Sequence, residues 1–266
     1  MNDFYVGYAP RAPVAVARFI RRVIVLLGLL GVAIALALVT GQMPLANSAF
    51  EYGKMRKFEG IIDARPYPTL LVVRPGEVES GDKHSRYLLV APGKHGAEYL
   101  VAGFDGIAVR LKGQLIYRER ATMIEIEPGS IAAMNSSAAT QAPTADLGAI
   151  AVTGEIVDSK CYLGVMNPGS GKVHRDCAAR CISGGVPPIF VTLDGQEQFL
   201  LVGPDRNAIA PDVLREFVAE PISITGEVLR RGETRMLRVD PREFRHTSVK
   251  VEAAKHSRKS RTKEQL

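Results

Sequence analysis

Cys161, His174, Cys177 and Cys181 fall within a stretch of 21 residues, and they include all three cysteines of the chain. The run reads DSKCYLGVMNPGSGKVHRDCAARCISGGVPP. On a helix, His174, Cys177 and Cys181 stand at i, i+3 and i+7, so all three project from one face. Cys161 lies upstream, behind a Gly/Pro-rich loop long enough to fold back. Three thiols and an imidazole converging from a helix and a loop form the donor set of a metal or redox site. Thiolate and imidazole suit Zn, Cu(I) or an iron–sulfur centre. Met166 in the loop offers a thioether as an accessory ligand, which would tilt the choice towards copper. The same residues are also the disulfide candidates. Cys177 and Cys181 sit one turn apart, so a bond between them would pin little. A bond from Cys161 to either would staple the helix to the preceding strand, worth about 3 kcal/mol for a loop of this size. The third thiol would then lie beside the disulfide, with His174 and Arg175 or Arg180 able to lower its pKa.

Other chemistry is thin. No GxSxG occurs, and no base and orienting group present themselves for a Cys/His nucleophile, so a hydrolase is not expected and the balance leans away from an enzyme. His84 and His95 could form a second metal site, but they fall on a polar hairpin where histidines usually face solvent. Asp63 and Asp158 read as residues that cap or close a strand. Gly184 to Pro188 reads as a helix stop and a rigid entry into the next strand.

Two copies of one pattern position the cluster. Val109 to Pro128 aligns without a gap on Ile222 to Pro241, matching Gly113 to Gly226, Met123 to Met236 and Pro128 to Pro241. Upstream, Tyr87 to Val90 corresponds to Phe199 to Val202, and GIIDARPY (Gly60 to Tyr67) to EIVDSKCY (Glu155 to Tyr162). In the second copy, 151–158, Ile189 to Leu193 and Gln198 to Val202 read as strands, and Pro211 to Val218 reads as a short helix. Ile222 to Leu229 and Thr234 to Val239 read as a hairpin. The first copy fits the same order, with Ala97 to Phe104 as its weaker helix. This order predicts a mainly β chain: two tandem OB-like β-barrels related by internal duplication, over 50–128 and 148–244, with a linker at 129–147. One continuous β-sandwich is the competing architecture. Between the shared Asp and the shared aromatic, the second copy is longer by the 17 residues that carry His174, Cys177 and Cys181. Where it has Cys161, the first copy has Pro66, so the barrel does not need the cysteines in order to fold. Such a graft is where function usually lives.

The rest of the chain places these domains. Val23 to Val39 is an uncharged apolar run that, with its flanks, can span a hydrocarbon core of about 30 Å. This predicts one transmembrane helix at 23–40. A signal peptide cleaved near Leu45 to Phe50 is the alternative, but the run exceeds the usual signal core. Arg11, Arg18, Arg21 and Arg22 precede the run, so the N-terminus (1–22) is expected in the cytoplasm and the barrels in the periplasm, anchored to the inner membrane. The net charge of +6 belongs to the two ends: residues 1–22 hold four Arg and one Asp, and 245–266 hold seven Lys/Arg and two Glu. That basic tail reads as disordered. The body between is close to neutral, and with no Trp and 6% aromatics a nucleic-acid partner is not expected.

The run DSKCYLGVMNPGSGKVHRDCAARCISGGVPPIFV resembles a signature of uncharacterised membrane-anchored or exported bacterial proteins. That resemblance implies an exported bacterial context and no established activity. The architecture also looks like the haem chaperone of cytochrome c maturation, an anchor carrying one barrel. That family's motif around its haem-binding histidine is missing here, where His246 and His256 fall in the tail. The functional expectation is an accessory or assembly factor for a membrane or periplasmic oxidoreductase, with a metal or a redox thiol. The competing one is a non-catalytic scaffold whose cysteines form only a staple.

Overall fold

The computed structural model describes residues 13–42, 48–73, 84–119, 121–135 and 144–247. It divides into two units, residues 1–46 and 47–266. Among its described residues the first unit is a single helix, α1 (Val14–Gln42), of 29 residues. It starts directly after Pro13, whose carbonyl accepts the Ala17 N–H, as expected where proline precedes a helix. The helix begins earlier than the predicted 23–40. Arg18, Arg21 and Arg22 are good helix formers flanked by Ala, Phe and Ile, so the helix runs on N-terminally past the apolar stretch that they precede. Val14–Gly41 is long and apolar enough to cross a membrane, with a mean hydropathy of 2.9 over its most apolar 18 residues; a signal sequence meets the same criteria.

The second unit is almost all β, in two closed five-stranded barrels. The first is built from β2 (Arg56–Asp63), β3 (Thr69–Val73), β4 (His84–Ala91), β6 (Ala108–Arg118) and β7 (Ala121–Ile126). Around the barrel the order is β6-β2-β3-β4-β7, with β7 returning to β6. All pairs are antiparallel except β4 with β7. Short strands β1 (Ser48–Phe50) and β8 (Ala132–Ala133) add to β6, and β5 (His95–Gly96) adds to β4. The second barrel repeats the plan with β9 (Thr144–Asp158), β10 (Pro188–Thr192), β11 (Gln198–Val202), β12 (Ile222–Arg231) and β13 (Thr234–Val239). Its order is β12-β9-β10-β11-β13 and back to β12, and the one parallel pair is β11 with β13. Each barrel has one short helix before its last hairpin, α2 (Glu98–Val101) and α4 (Pro211–Leu214). Both are shorter than the periodicity predicts. Beyond Leu214 the chain bends inward so that Val218 bridges Ile156. Strand β14 (Arg245–His246) pairs with Ile222 and Ser223, so the first two residues of the predicted tail belong to the barrel. Of the predicted linker, Ala132–Ala133 is strand and β9 already starts at Thr144. The tail beyond Thr247, including His256, lies outside the described residues.

Alternation explains how the barrels join. Phe199 and Leu201 of β11 point into the second barrel's core with Phe190, Ile156 and Leu237. Their neighbours Leu200 and Val202 face the other way, as the two-residue period of a strand requires. There they meet Val90, Ile116 and Met123, the outward faces of β4, β6 and β7, in one shared apolar seam. A strand covered on both faces must be apolar at nearly every position, and PIFVT and QFLLV are so. Ile62, Leu70, Leu89, Leu111, Ile124 and Ile126 fill the first barrel. The two barrels thus share a core instead of hanging on a flexible linker.

The loops after the first strand of each barrel cross this seam reciprocally. Tyr67 is buried with its hydroxyl donating to the Leu201 carbonyl at 3.0 Å. Burial holds its phenol protonated far beyond the ordinary range, with the Ile209 N–H opposing that rise. Tyr162, its counterpart, lies under the guanidinium of Arg118 at 4.2 Å, which also donates to the Tyr162 carbonyl. Asp63 is buried and ion-paired with Arg86 at 2.8 Å and with Arg231 of the other barrel at 3.1 Å. It is an internal charge anchor, and more than a strand cap.

Candidate metal centre

Strand β9 ends at Asp158, and the chain immediately coils. Cys161–Val165 forms a wide helical turn, and the loop leads through a 3-10 turn at Lys172–His174 into α3 (Arg175–Ser183). Gly185, at φ 92°, ends that helix in the left-handed region that favours glycine. Val186 closes the turn by donating to the Cys181 carbonyl.

The three sulfurs converge. Cys161 Sγ lies 3.9 Å from Cys177 Sγ and 4.0 Å from Cys181 Sγ, and all three lie within 4.8 Å of one another. All are free thiols; Cys161 and Cys181 are buried and Cys177 is half-buried. A point equidistant from sulfurs so spaced lies about 2.3–2.5 Å from each, the length of a Zn–thiolate bond. A disulfide would need the sulfurs at about 2.05 Å. Three cysteines close together could therefore hold a metal ion.

His174 is placed differently from the helical reading. It stands just before α3, at the N-cap position, and its Nε2 lies 3.0 Å from Asp158 Oδ2. Asp158, His174 and Cys161 form a second group that shares Cys161 with the first. The physical reason is Asp158, a fully buried carboxylate that must find polar partners within the protein. Its Oδ1 accepts the Cys161 N–H at 2.8 Å, and its Oδ2 takes the imidazole. Asp158 thus fixes both the backbone of one thiol ligand and the residue that starts the helix carrying the other two. Met166 is 45% exposed, and its N–H donates to the Cys161 carbonyl.

A residue that no local motif signals completes the cluster. Lys94, on the turn between β4 and β5 of the first barrel, places Nζ 2.7 Å from Cys177 Sγ and 3.7 Å from Cys181 Sγ. The bond to Cys177 raises the ammonium's pKa, with further help from the Cys181 charge. Cys181 is lowered, first by the S–H of Cys161 and also by Lys94, whereas Cys161 is raised by that same bond and by burial. Of this pair, Cys181 is therefore the thiol that ionises more readily, and it faces an ammonium. The turn is held at both ends. Lys160, buried beside Cys161, donates to the Ala91 and Gly93 carbonyls at 2.8 and 2.6 Å and pairs with buried Glu125 at 2.5 Å. Gly96 donates to the Gly184 carbonyl, and a side chain on Gly184 would meet the Lys94 carbonyl at 1.9 Å. Only glycine lets α3 and the first barrel's turn approach so closely. His95 is exposed on the same turn, and His84 lies at the far end of β4.

The loop is tied down by Glu155, whose Oε2 accepts the Gly171 N–H at 2.9 Å; burial raises its pKa above 4.5. The folded state therefore keeps this proton to a higher pH than the unfolded chain, so stability is full below the unfolded pKa and falls as pH rises through the window above 4.5. Glu155→Gln keeps an acceptor for Gly171 and removes the titration. Denaturant unfolding at several pH values across that window is expected to show a shallower loss of stability for the variant than for the parent.

No protein-family model matches the chain, and no curated protein is similar to it.

Proposed function

We propose that this chain is a single-pass, membrane-anchored protein that binds one soft metal ion, Cu(I) or Zn, through Cys161, Cys177 and Cys181, and acts as an accessory or assembly factor for a membrane or periplasmic oxidoreductase. The spacing of the three sulfurs carries the reading: it suits a shared metal and is nearly twice a disulfide bond. Thiolates select these metals over hard cations. Two ligands are buried and Cys177 is half-exposed, so a metal can be handed on through the accessible ligand by thiolate exchange. Asp158 and His174 are then positioning residues of the kind that orient metal ligands. An iron–sulfur centre suits the site less, because it would require further protein ligands.

The barrels are best understood as OB-type modules arising by duplication. Strand order supports this, with its single parallel closing pair, and so does pairing register: Gly113 faces Ile126 as Gly226 faces Val239. The arginines at the start of α1 favour a cytoplasmic N-terminus and periplasmic barrels.

The test is elemental analysis of the full-length chain, purified anaerobically in detergent and offered Zn²⁺ or Cu⁺ in turn. The expected result is about one metal per chain, retained through desalting with the three thiols protected from alkylation. Metal-free protein with two cysteines oxidised and the third unreactive would overturn this reading in favour of the structural staple.

A further inference from the structure

The contact between Lys94 and Cys177 is unusual in three respects. At 2.7 Å it is shorter than an ordinary N–H···S bond, at about 3.3 Å or more given sulfur's larger radius. It joins residues 83 positions apart on different barrels. And both partners are held: the Lys94 backbone is pressed on Gly184, and Cys177 sits in the first turns of α3. The ammonium's bonds run to the sulfurs of Cys177 and Cys181, where an exposed lysine would ordinarily find a carboxylate or water. A nitrogen and a sulfur joined through one oxygen atom stand about 2.7 Å apart, so the pair is already at the separation of a crosslink whose sulfur stands at the sulfenic level.

We propose that Lys94 and Cys177 are an oxidation-sensitive pair that forms a covalent Nζ–O–Sγ bridge across the two barrels, with dioxygen as the oxidant. The step balances as Cys–SH + Lys–NH₃⁺ + O₂ → Cys–S–O–NH–Lys + H₂O + H⁺. Sulfur and nitrogen each lose two electrons, and dioxygen takes the four. One oxygen stays as the bridge, forming S–O and O–N bonds. The other leaves as water with the thiol hydrogen and one N–H hydrogen, and the ammonium proton goes to solvent. Cys177 is the half-exposed member of the trio, so it is the one an oxidant reaches first. On the metal-site reading, the bridge removes one of three ligands and makes metal retention oxygen-sensitive and reversible by thiol reductant.

The bridge is tested on the full-length, chelator-treated chain in detergent, apart from any metal. After air equilibration, peptide mapping should find the Lys94 and Cys177 peptides linked with a gain of about 14 Da, one oxygen added and two hydrogens lost. Trypsin should no longer cut after Lys94, and dithiothreitol should restore both. Lys94→Arg should lose the link while melting as the parent does, and Cys161→Ser should keep it. A Cys161–Cys177 disulfide with Lys94 free, or free thiols and a free Lys94 after aeration, would overturn the proposal. So would a 14 Da gain that persists in Lys94→Arg. A parallel measurement of metal content separates the two readings: a chain that links but never binds metal leaves the bridge standing and removes only the metal site.

Discussion

Cys177→Ser is expected to abolish metal retention by the full-length protein while leaving its fold intact. Replacing one of three thiolates by a hydroxyl removes a direct ligand, so the loss should exceed the about 10–100-fold that a supporting residue is worth. Stability should hardly change. Cys177 is half-buried and merely borders the apolar seam, and serine there leaves no large cavity; a change within about 1 kcal/mol is expected. Competition against a chromophoric chelator gives the affinity, and a thermal melt of metal-free protein gives the stability. Asp158→Asn provides the contrast, since it touches the metal only through Cys161 and His174. It should weaken binding by less than Cys177→Ser and cost more stability, because the buried imidazole loses its charged partner. If instead Cys177→Ser lowers the melting temperature and leaves metal content unchanged, the cysteines serve the fold and the metal reading is wrong.

The barrels were legible because their signals are local and periodic. The hairpin at Ile222–Arg231 and Thr234–Val239 alternates with a tight Gly turn, and strand β11 falls at Gln198–Val202 as its residues predict. The proximity of the cysteines was legible too, since a helix turn and a returning loop are short-range geometry. The partners of the cluster were not. His174 satisfies the helical spacing, yet a buried carboxylate at Asp158 claims its ring, and nothing in the local pattern prices a charge that will be desolvated. Lys94 could be found only by knowing that the barrels share a core, which is set by the outward residues of β4, β7 and β11. In the sequence those residues look like excess hydrophobicity. The reciprocal exchange of Tyr67 and Tyr162 had a visible trace, the matched Asp and Tyr of the two aligned segments, but the trace does not say which barrel each ring enters.

Lys160→Met is expected to lower the melting temperature more than any single change at the cysteines. Lys160 and Glu125 are 3% and 9% exposed at the side chain, so removing the ammonium strands a carboxylate inside the seam between barrels. Breaking a buried pair from one side costs about 3–5 kcal/mol, and at about 2–4 °C per kcal/mol for a chain of this size that is about 6–20 °C. The two carbonyls that Lys160 holds, on Ala91 and Gly93, lose their donor as well. Replacing both partners, Lys160→Met with Glu125→Leu, should recover most of the stability, because an apolar pair of similar volume avoids the desolvation penalty. It should not recover the position of the Lys94 turn, since the carbonyls at its base stay unpaired. The double variant is thus expected to melt near the parent yet form less Lys94–Cys177 crosslink on aeration. A double variant as unstable as the single one would show that the seam depends on charge, and that its apolar residues alone do not fasten the first barrel onto the cysteine helix.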